Sequence, residues 1–240
     1  MNTMTKYSFF LFLVLAVAAC NKPGDSLETA EAQAVVAGAG DTLSVDLSTT
    51  TVSWIGYKPT GKHLGKIPVS SGFLTVVNDS ITGGSFTFDV VGLSIEDLAA
   101  GSEDYGKLYG HLQSPDFFDA ANHPTAIFEI TEVSPFVATD KVTDKQEFSS
   151  ANTPASDSSL APANPSHWIS GNLTLRGTTK NIKFPASVSS TAGVVSAKAG
   201  FNIDRTAWNL SYGNEASAVN KAKDQFIYNT VSLVLDINAK

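Results

Sequence analysis

The run Ser85-Phe86-Thr87-Phe88-Asp89-Val90 alternates polar and apolar side chains without a break. Successive side chains of a strand point to opposite faces, so Phe86, Phe88 and Val90 share one face while Ser85, Thr87 and Asp89 share the other. A segment of this kind is stable as a strand buried on one side only, which points to antiparallel β architecture. The chain repeats the pattern. Residues 125–133 group Ala126, Phe128 and Ile130 against Glu129 and Thr131, with Ile127 out of step. Residues 226–237 group Ile227, Val231, Leu233, Leu235 and Ile237 against Tyr228, Thr230, Ser232 and Asp236, with Val234 out of step. Strand-like runs at 51–58, 70–77, 168–175, 181–188 and 194–203 lie between turn formers such as Asn78-Asp79 and Gly83-Gly84. About eight antiparallel strands make an all-β domain, a barrel or a sandwich, and a barrel of that size can hold one small ligand.

Two stretches break the β pattern. Residues 93–113 have helical character: Tyr105, Leu108, Tyr109 and Leu112 fall at helical spacing. Ser94 with Asp97, and Ser102 with Glu103 and Asp104, suit helix starts, so one or two short helices are expected here. Residues 138–166 are rich in Ser, Ala, Asn and Pro and offer little to bury. They predict an exposed, mobile insertion between two strands.

The N-terminus reads as an address. Lys6 precedes an apolar run from Phe9 to Ala19, too short to span a bilayer and suited to a signal peptide over residues 1–19. Val17-Ala18-Ala19-Cys20 resembles a bacterial lipobox, in which the cysteine is acylated and becomes the new N-terminus. Lipidated Cys20 and a flexible tether are expected over 20–45, with the barrel domain over 46–240. Several acyl chains on one residue make a stable anchor, where one chain is marginal. This predicts an exported protein of the cell envelope, held at the periplasmic face or outer membrane of a Gram-negative bacterium.

Composition removes several function classes. Cys20 is the single cysteine, so no intrachain disulfide forms and no Cys-rich zinc site is available. The net charge of −7 comes without a Lys/Arg cluster, so nothing offers a footprint for nucleic acid. No Gly-x-Ser-x-Gly elbow, phosphate-binding loop or dinucleotide fingerprint is present. No catalytic residue and no cofactor are expected.

Five segments in order carry a family resemblance. They are Trp54-Ile55-Gly56-Tyr57-Lys58 with Gly61-Lys62-His63-Leu64-Gly65; Gly84 to Asp89; His111-Leu112-Gln113-Ser114-Pro115-Asp116-Phe117-Phe118-Asp119 with His123 to Phe128; Gly171 to Lys180; and Phe201-Asn202-Ile203-Asp204-Arg205. From about residue 50 to the C-terminus the chain resembles the YceI-like family. The resemblance implies a lipocalin-like, eight-stranded antiparallel barrel with an internal tunnel for a polyisoprenoid chain of the quinone or polyprenyl type. A bound isoprenoid lipid is the partner it implies, and related barrels allow a homodimer through an edge or a flat face; the membrane, reached through Cys20, follows from the lipobox. The lipobox and the 138–166 insertion depart from the common pattern.

A tunnel for such a chain needs enclosed apolar surface. Phe73, Phe86, Phe88, Phe128, Phe201 and Phe226 lie on strand-like runs, while Phe117 and Phe118 follow the expected helix and suit the tunnel mouth. The pattern alone favours a filled core for any one of the strand phenylalanines, and it is the resemblance that argues for a hollow barrel; Phe117 and Phe118 suit equally an anchor that packs the helix on the barrel. His63, His111 and Arg205 are candidates for a head group. The competing reading for the histidines is satisfaction by backbone partners; for Arg205, as for Arg176, it is an ion pair with a carboxylate such as Asp204 or Asp224. No pair of histidines has metal-ligand spacing. The alternatives are a metal- or histidine-dependent enzyme or stress protein, with His63, His111 or His123 converging on a polar pocket, and a purely structural surface lipoprotein with a filled core.

Overall fold

A computed structural model describes residues 29–35, 37–137, 139–220 and 226–240. The signal peptide and Cys20 lie outside the described residues. Among the described residues, twelve strands form one antiparallel sheet: β1 (Ala30–Glu31), β2 (Asp41–Ser44), β3 (Thr51–Lys58), β4 (Gly61–Lys66), β5 (Val69–Val77), β6 (Ser80–Asp89), β7 (Ser94–Ile95), β8 (Thr125–Pro135), β9 (His167–Leu175), β10 (Thr178–Thr191), β11 (Val194–Asp204) and β12 (Thr230–Ala239). The ladder runs β5-β6-β8-β9-β10-β11-β12-β3-β4.

β4 and β5 are one strand kinked at Ile67 and Pro68. Ile67 N donates to Val52 O at 3.0 Å, extending the pairing with β3, and Pro68 O accepts from Asp89 N at 2.8 Å, extending the pairing with β6. Proline has no N–H to give, so the strand changes partners where Pro68 stands. With β4–β5 taken as one strand, the ladder returns to its start and the sheet closes as an eight-stranded barrel. β2 seals the remaining seam. It pairs with β5 from Asp41↔Val76 to Ser44↔Phe73, and Ser44 exchanges two 2.9 Å backbone bonds with Lys240 at the end of β12.

β6, β9 and β11 finish at one end of the barrel, where β8, β10 and β12 begin. Helix α1 (Glu103–Gln113) joins that end, and the sequence explains its start: the Ser102 side chain accepts from Tyr105 N at 3.2 Å. The other expected helix start is not one. Ser94 lies in β7, and the Asp97 carboxylate accepts from Leu64 N at 2.9 Å instead. Hydrogen bonding to the edge of the sheet won over a short helix.

Two further expectations are corrected. Part of the expected 20–45 tether belongs to the barrel. β1 pairs with β10, Gln33 exchanges backbone bonds of 2.9 and 2.7 Å with the Asn172 side chain, and β2 is a sheet strand. The insertion is also docked rather than exposed throughout. It carries the short helix α2 (Asp157–Leu160), and it lies on the outer face of β11 and β12. Asp157 accepts from Asn202 N at 2.7 Å, and Phe148 O accepts from the Tyr228 hydroxyl at 2.7 Å. Asn152 reaches the β3–β4 turn, donating to Pro59 O at 3.1 Å. The polar face read from Tyr228, Thr230 and Ser232 is therefore buried, and it is the floor on which the insertion sits. Its polar groups are satisfied by one another: Tyr57 Oη and Ser232 Oγ lie 3.0 Å apart, and Ser232 Oγ donates to Asn202 Oδ1 at 2.6 Å.

Candidate ligand-binding cavity

Strand parity builds the interior. Val52, Trp54 and Gly56 of β3 face inward, as do Phe86 and Phe88 of β6 and Ala126, Phe128 and Ile130 of β8. Leu173 and Leu175 of β9, Ile182 and Phe184 of β10, Phe201 and Ile203 of β11, and Leu233 and Leu235 of β12 complete the ring. These walls leave a cavity of about 260 Å³ inside the barrel. Helix α1 presents Leu108, His111 and Leu112 to it, at the spacing of one helix face, and Phe117 and Phe118 follow. Phe184 stacks on Phe201 with centroids 4.2 Å apart, and Phe128 packs against Phe184 at 5.8 Å, so the aromatic wall is continuous across β8, β10 and β11. β9 comes close to this wall: a Cβ on Gly171 would collide with the Phe128 ring.

Six of the eight phenylalanines singled out from the sequence line the cavity: Phe86, Phe88, Phe117, Phe118, Phe128 and Phe201. Two do not. Phe73 points outward and is 42% exposed, because its neighbour Leu74 takes the inward position. Phe226 is buried, but outside the barrel, against Tyr57, Tyr228 and Phe148. Ile227 faces the cavity, so its sequence neighbours Phe226 and Tyr228 turn the other way.

The three head-group candidates all border the cavity. His63 Nδ1 sits 2.7 Å from Asp97 Oδ2. Burial pushes the Asp97 carboxyl up, but the Leu64 N–H and the His63 ring outweigh it and hold the group below its ordinary value. His111 packs edge-on against Tyr212 at 4.5 Å and Phe117 at 5.8 Å, and its Nε2 is buried with no hydrogen-bond partner. Arg205 is 1% exposed. It forms none of the carboxylate pairs considered for it within the described residues. Its guanidinium donates to Tyr228 O and Ile227 O, both at 3.1 Å, and to Leu210 O. Burial pulls its pKa down to about 10. Asp204, the partner considered, instead accepts from Thr206 N at 2.9 Å; Asp224 lies outside the described residues. Arg176 likewise binds carbonyls, those of Asn209 and Pro115, each at 2.6 Å.

His123 borders Gly177, and His167 bonds Ser166 at 2.8 Å; neither lines the cavity that His63 and His111 border. Among the described residues, no three His, Cys, Asp or Glu side chains meet where they could hold a metal ion. The residue missed in the sequence is Trp54. It lines the cavity, and its Nε1 is buried without a partner. Its place in the alternation of β3 was visible; its unmet N–H depends on what stands opposite, which no local pattern records.

The family model described as YceI-like domain matches residues 43–239. Among solved structures, Burkholderia cenocepacia BcnA superimposes with a TM-score of 0.55 at 16% identity, covering 82% of this chain and 99% of that one. A polyisoprenoid binding domain from Saccharophagus degradans, implicated in plant cell wall breakdown, gives a TM-score of 0.53 at 13% identity, covering 82% of this chain and 97% of that one. At these identities the likeness is one of fold. A search of curated proteins gives no match.

Proposed function

This chain belongs to the YceI-like domain family, and on that premise we propose that its barrel binds and carries a long isoprenoid lipid, of the quinone or polyprenyl type, without catalysing a reaction on it. The observation that carries the reading is the cavity, walled by apolar side chains from all eight barrel strands and capped by Leu108 and Leu112 of α1. Burial of hydrocarbon contributes roughly 0.8 kcal/mol per CH₂, so each five-carbon unit taken from water contributes on the order of 3 kcal/mol. A filled core offers no such site. The fold shared with the polyisoprenoid binding domain from Saccharophagus degradans agrees with this reading.

Anchoring belongs to the same proposal. Acylated Cys20 would hold the barrel at the envelope membrane from which the lipid is taken; the lipobox resemblance supports this. The test is to express the full chain with its leader, purify it in mild detergent, and identify co-purifying lipid by mass spectrometry. A stoichiometric isoprenoid supports the reading. An empty barrel that stays empty after incubation with isoprenoid lipids contradicts it. Intact mass on the same sample reads the acylation of Cys20.

A further inference from the structure

The cavity reaches the surface at one end of the barrel. Among the described residues that line it, only Lys58 and Lys62 are exposed, and they flank the β3–β4 turn. Gly56 of β3 stands opposite Val231 of β12, so this turn lies at the end where β12 begins and where α1 sits.

An apolar and aromatic rim surrounds that opening. Val91, just past β6, is 46% exposed, and Tyr212, between β11 and β12, is 51% exposed. The Tyr109 hydroxyl donates to Val91 O at 2.7 Å, and the Tyr105 and Tyr109 rings stack with centroids 6.2 Å apart. His111, further along α1, packs against Tyr212 at 4.5 Å. Helix α1 thus joins Val91, Tyr105, Tyr109 and Tyr212 into one surface. Tyrosine has an apolar ring and a polar tip, and it is favoured where one end of the side chain is dry and the other wet. Charge does not single out this surface: exposed Lys58 and Lys62 share the end with exposed Asp104 and Asp116, and Lys107 pairs with Glu103 at 2.5 Å.

The N-terminal segment indicates what covers the rim. β1 joins β10 with Ala30 opposite Asn181. Asn181 is three residues from the start of β10 at the α1 end, and ten residues from the last residue of β10 at the far end. At ~3.3 Å per residue these are about 10 Å and about 33 Å along the strand. Ala30 follows Cys20 by ten residues, whose reach is at most about 35 Å. A tether of this length brings the α1 end to the membrane with slack to spare. It brings the far end there only when almost fully drawn out.

We propose that the barrel docks with its α1 end on the bilayer that holds acylated Cys20, placing Val91, Tyr105, Tyr109 and Tyr212 in the lipid–water interface. The proposal rests on the anchoring reading above and adds to it a contact surface and an orientation. In this orientation the cavity opens onto the bilayer, and a hydrocarbon chain passes between the two without crossing water.

The test uses the full acylated chain in phosphatidylcholine vesicles. Acylation consumes the thiol of Cys20, so Val91→Cys and Val194→Cys each provide a single thiol for a fluorophore, the first on the rim and the second at the far end, where β11 begins. Nitroxide-bearing lipids should quench the Val91 label about twofold, as expected of a surface set roughly 5–10 Å into the interface, and leave the Val194 label unchanged. Adding Tyr105→Ser and Tyr212→Ser should relieve most of the Val91 quenching while the protein still floats with the vesicles. Neither label quenched on a chain that floats overturns the docking and leaves the anchor standing. Quenching of Val194 in place of Val91 overturns the orientation. Quenching of Val91 that survives both tyrosine substitutions overturns the rim as the contact surface. A chain that does not float, with Cys20 unacylated by intact mass, fails the anchoring reading, and this proposal falls with it.

Discussion

The guanidinium carbon of Arg205 lies 5.5 Å from the centre of the Phe117 ring. One face of this buried cation thus meets an aromatic π-face, while its nitrogens hold the backbone carbonyls of Leu210 and of Ile227 and Tyr228, the last two in the segment that leads into β12. Replacing Arg205 with Met leaves those carbonyls buried and unmet. The expected loss is on the order of 2–4 kcal/mol, read as a lowered denaturant midpoint. Lys at the same position should recover only part of it, since a single ammonium cannot reproduce the planar fork. Full recovery by Lys would show that charge alone matters.

Phe128 and Phe226 separate cavity from core. Phe128→Trp adds volume inside the barrel, so the isoprenoid retained should shorten, with a stability loss of no more than about 1–3 kcal/mol. Phe226→Ala empties a packed site outside the barrel and should cost roughly 3–5 kcal/mol while leaving the retained chain length unchanged. Mass spectrometry of extracted lipid and chemical denaturation read the two effects. A change of chain length in the Phe226 variant would contradict the placement of that residue.

Asp157 holds the insertion to the barrel. Burial pushes its carboxyl pKa up, and the Asn202 backbone and side-chain bonds offset this only in part. The folded pKa exceeds the unfolded one, so the contribution of this group weakens as pH rises from about 4 through the folded pKa. Asp157→Ala strands the Asn202 N–H and should weaken docking by roughly 1–3 kcal/mol. Hydrogen exchange should then rise across 139–166 and leave β8 and β9 protected. Unchanged exchange in the insertion would show that Phe148 and Asn152 hold it without Asp157.

Asp46 marks the closing seam. The Lys240 ammonium, 2.6 Å away, and then the Ser48 hydroxyl hold its pKa down at about 2. A depressed carboxyl pKa contributes stability above the unfolded value, near 4, and that contribution is lost as pH falls through about 2. Asp46→Asn should flatten the stability profile between pH 4 and pH 2 and leave the profile above pH 5 parallel to wild type. An unchanged acid limb would assign the limb to other carboxylates.

The alternation of Phe86, Phe88 and Val90 was enough to read the strands, because the period of two is a local property of the backbone. The same parity also placed Ile227 and Leu233 inward. Phe73 and Phe226 also lie on strand-like runs, but the parity of their neighbours Leu74 and Ile227 turns them away from the cavity. The eight-stranded closure was legible through the family resemblance; the kink at Pro68 that achieves it was not singled out. The docking of residues 139–166 was hidden for a different reason. It rests on Asp157, Asn202 and Ser232, polar residues distant in sequence that satisfy one another in a buried layer, and polar composition by itself reads as solvent-exposed. Trp54 and His111 stood in quoted motifs, but an unmet hydrogen bond exists only once the partners around it are in place.

The central claim is that the barrel interior holds the isoprenoid chain. A photoreactive isoprenoid with a diazirine on its tail, bound to the full chain and irradiated, tests it most directly by mapping adducts with peptide mass spectrometry. The account predicts labelling of inward residues such as Phe128, Phe201 and Leu233, competed away by unlabelled isoprenoid. Adducts confined to outward residues such as Phe73 and Val234, or labelling that no competitor reduces, would contradict it.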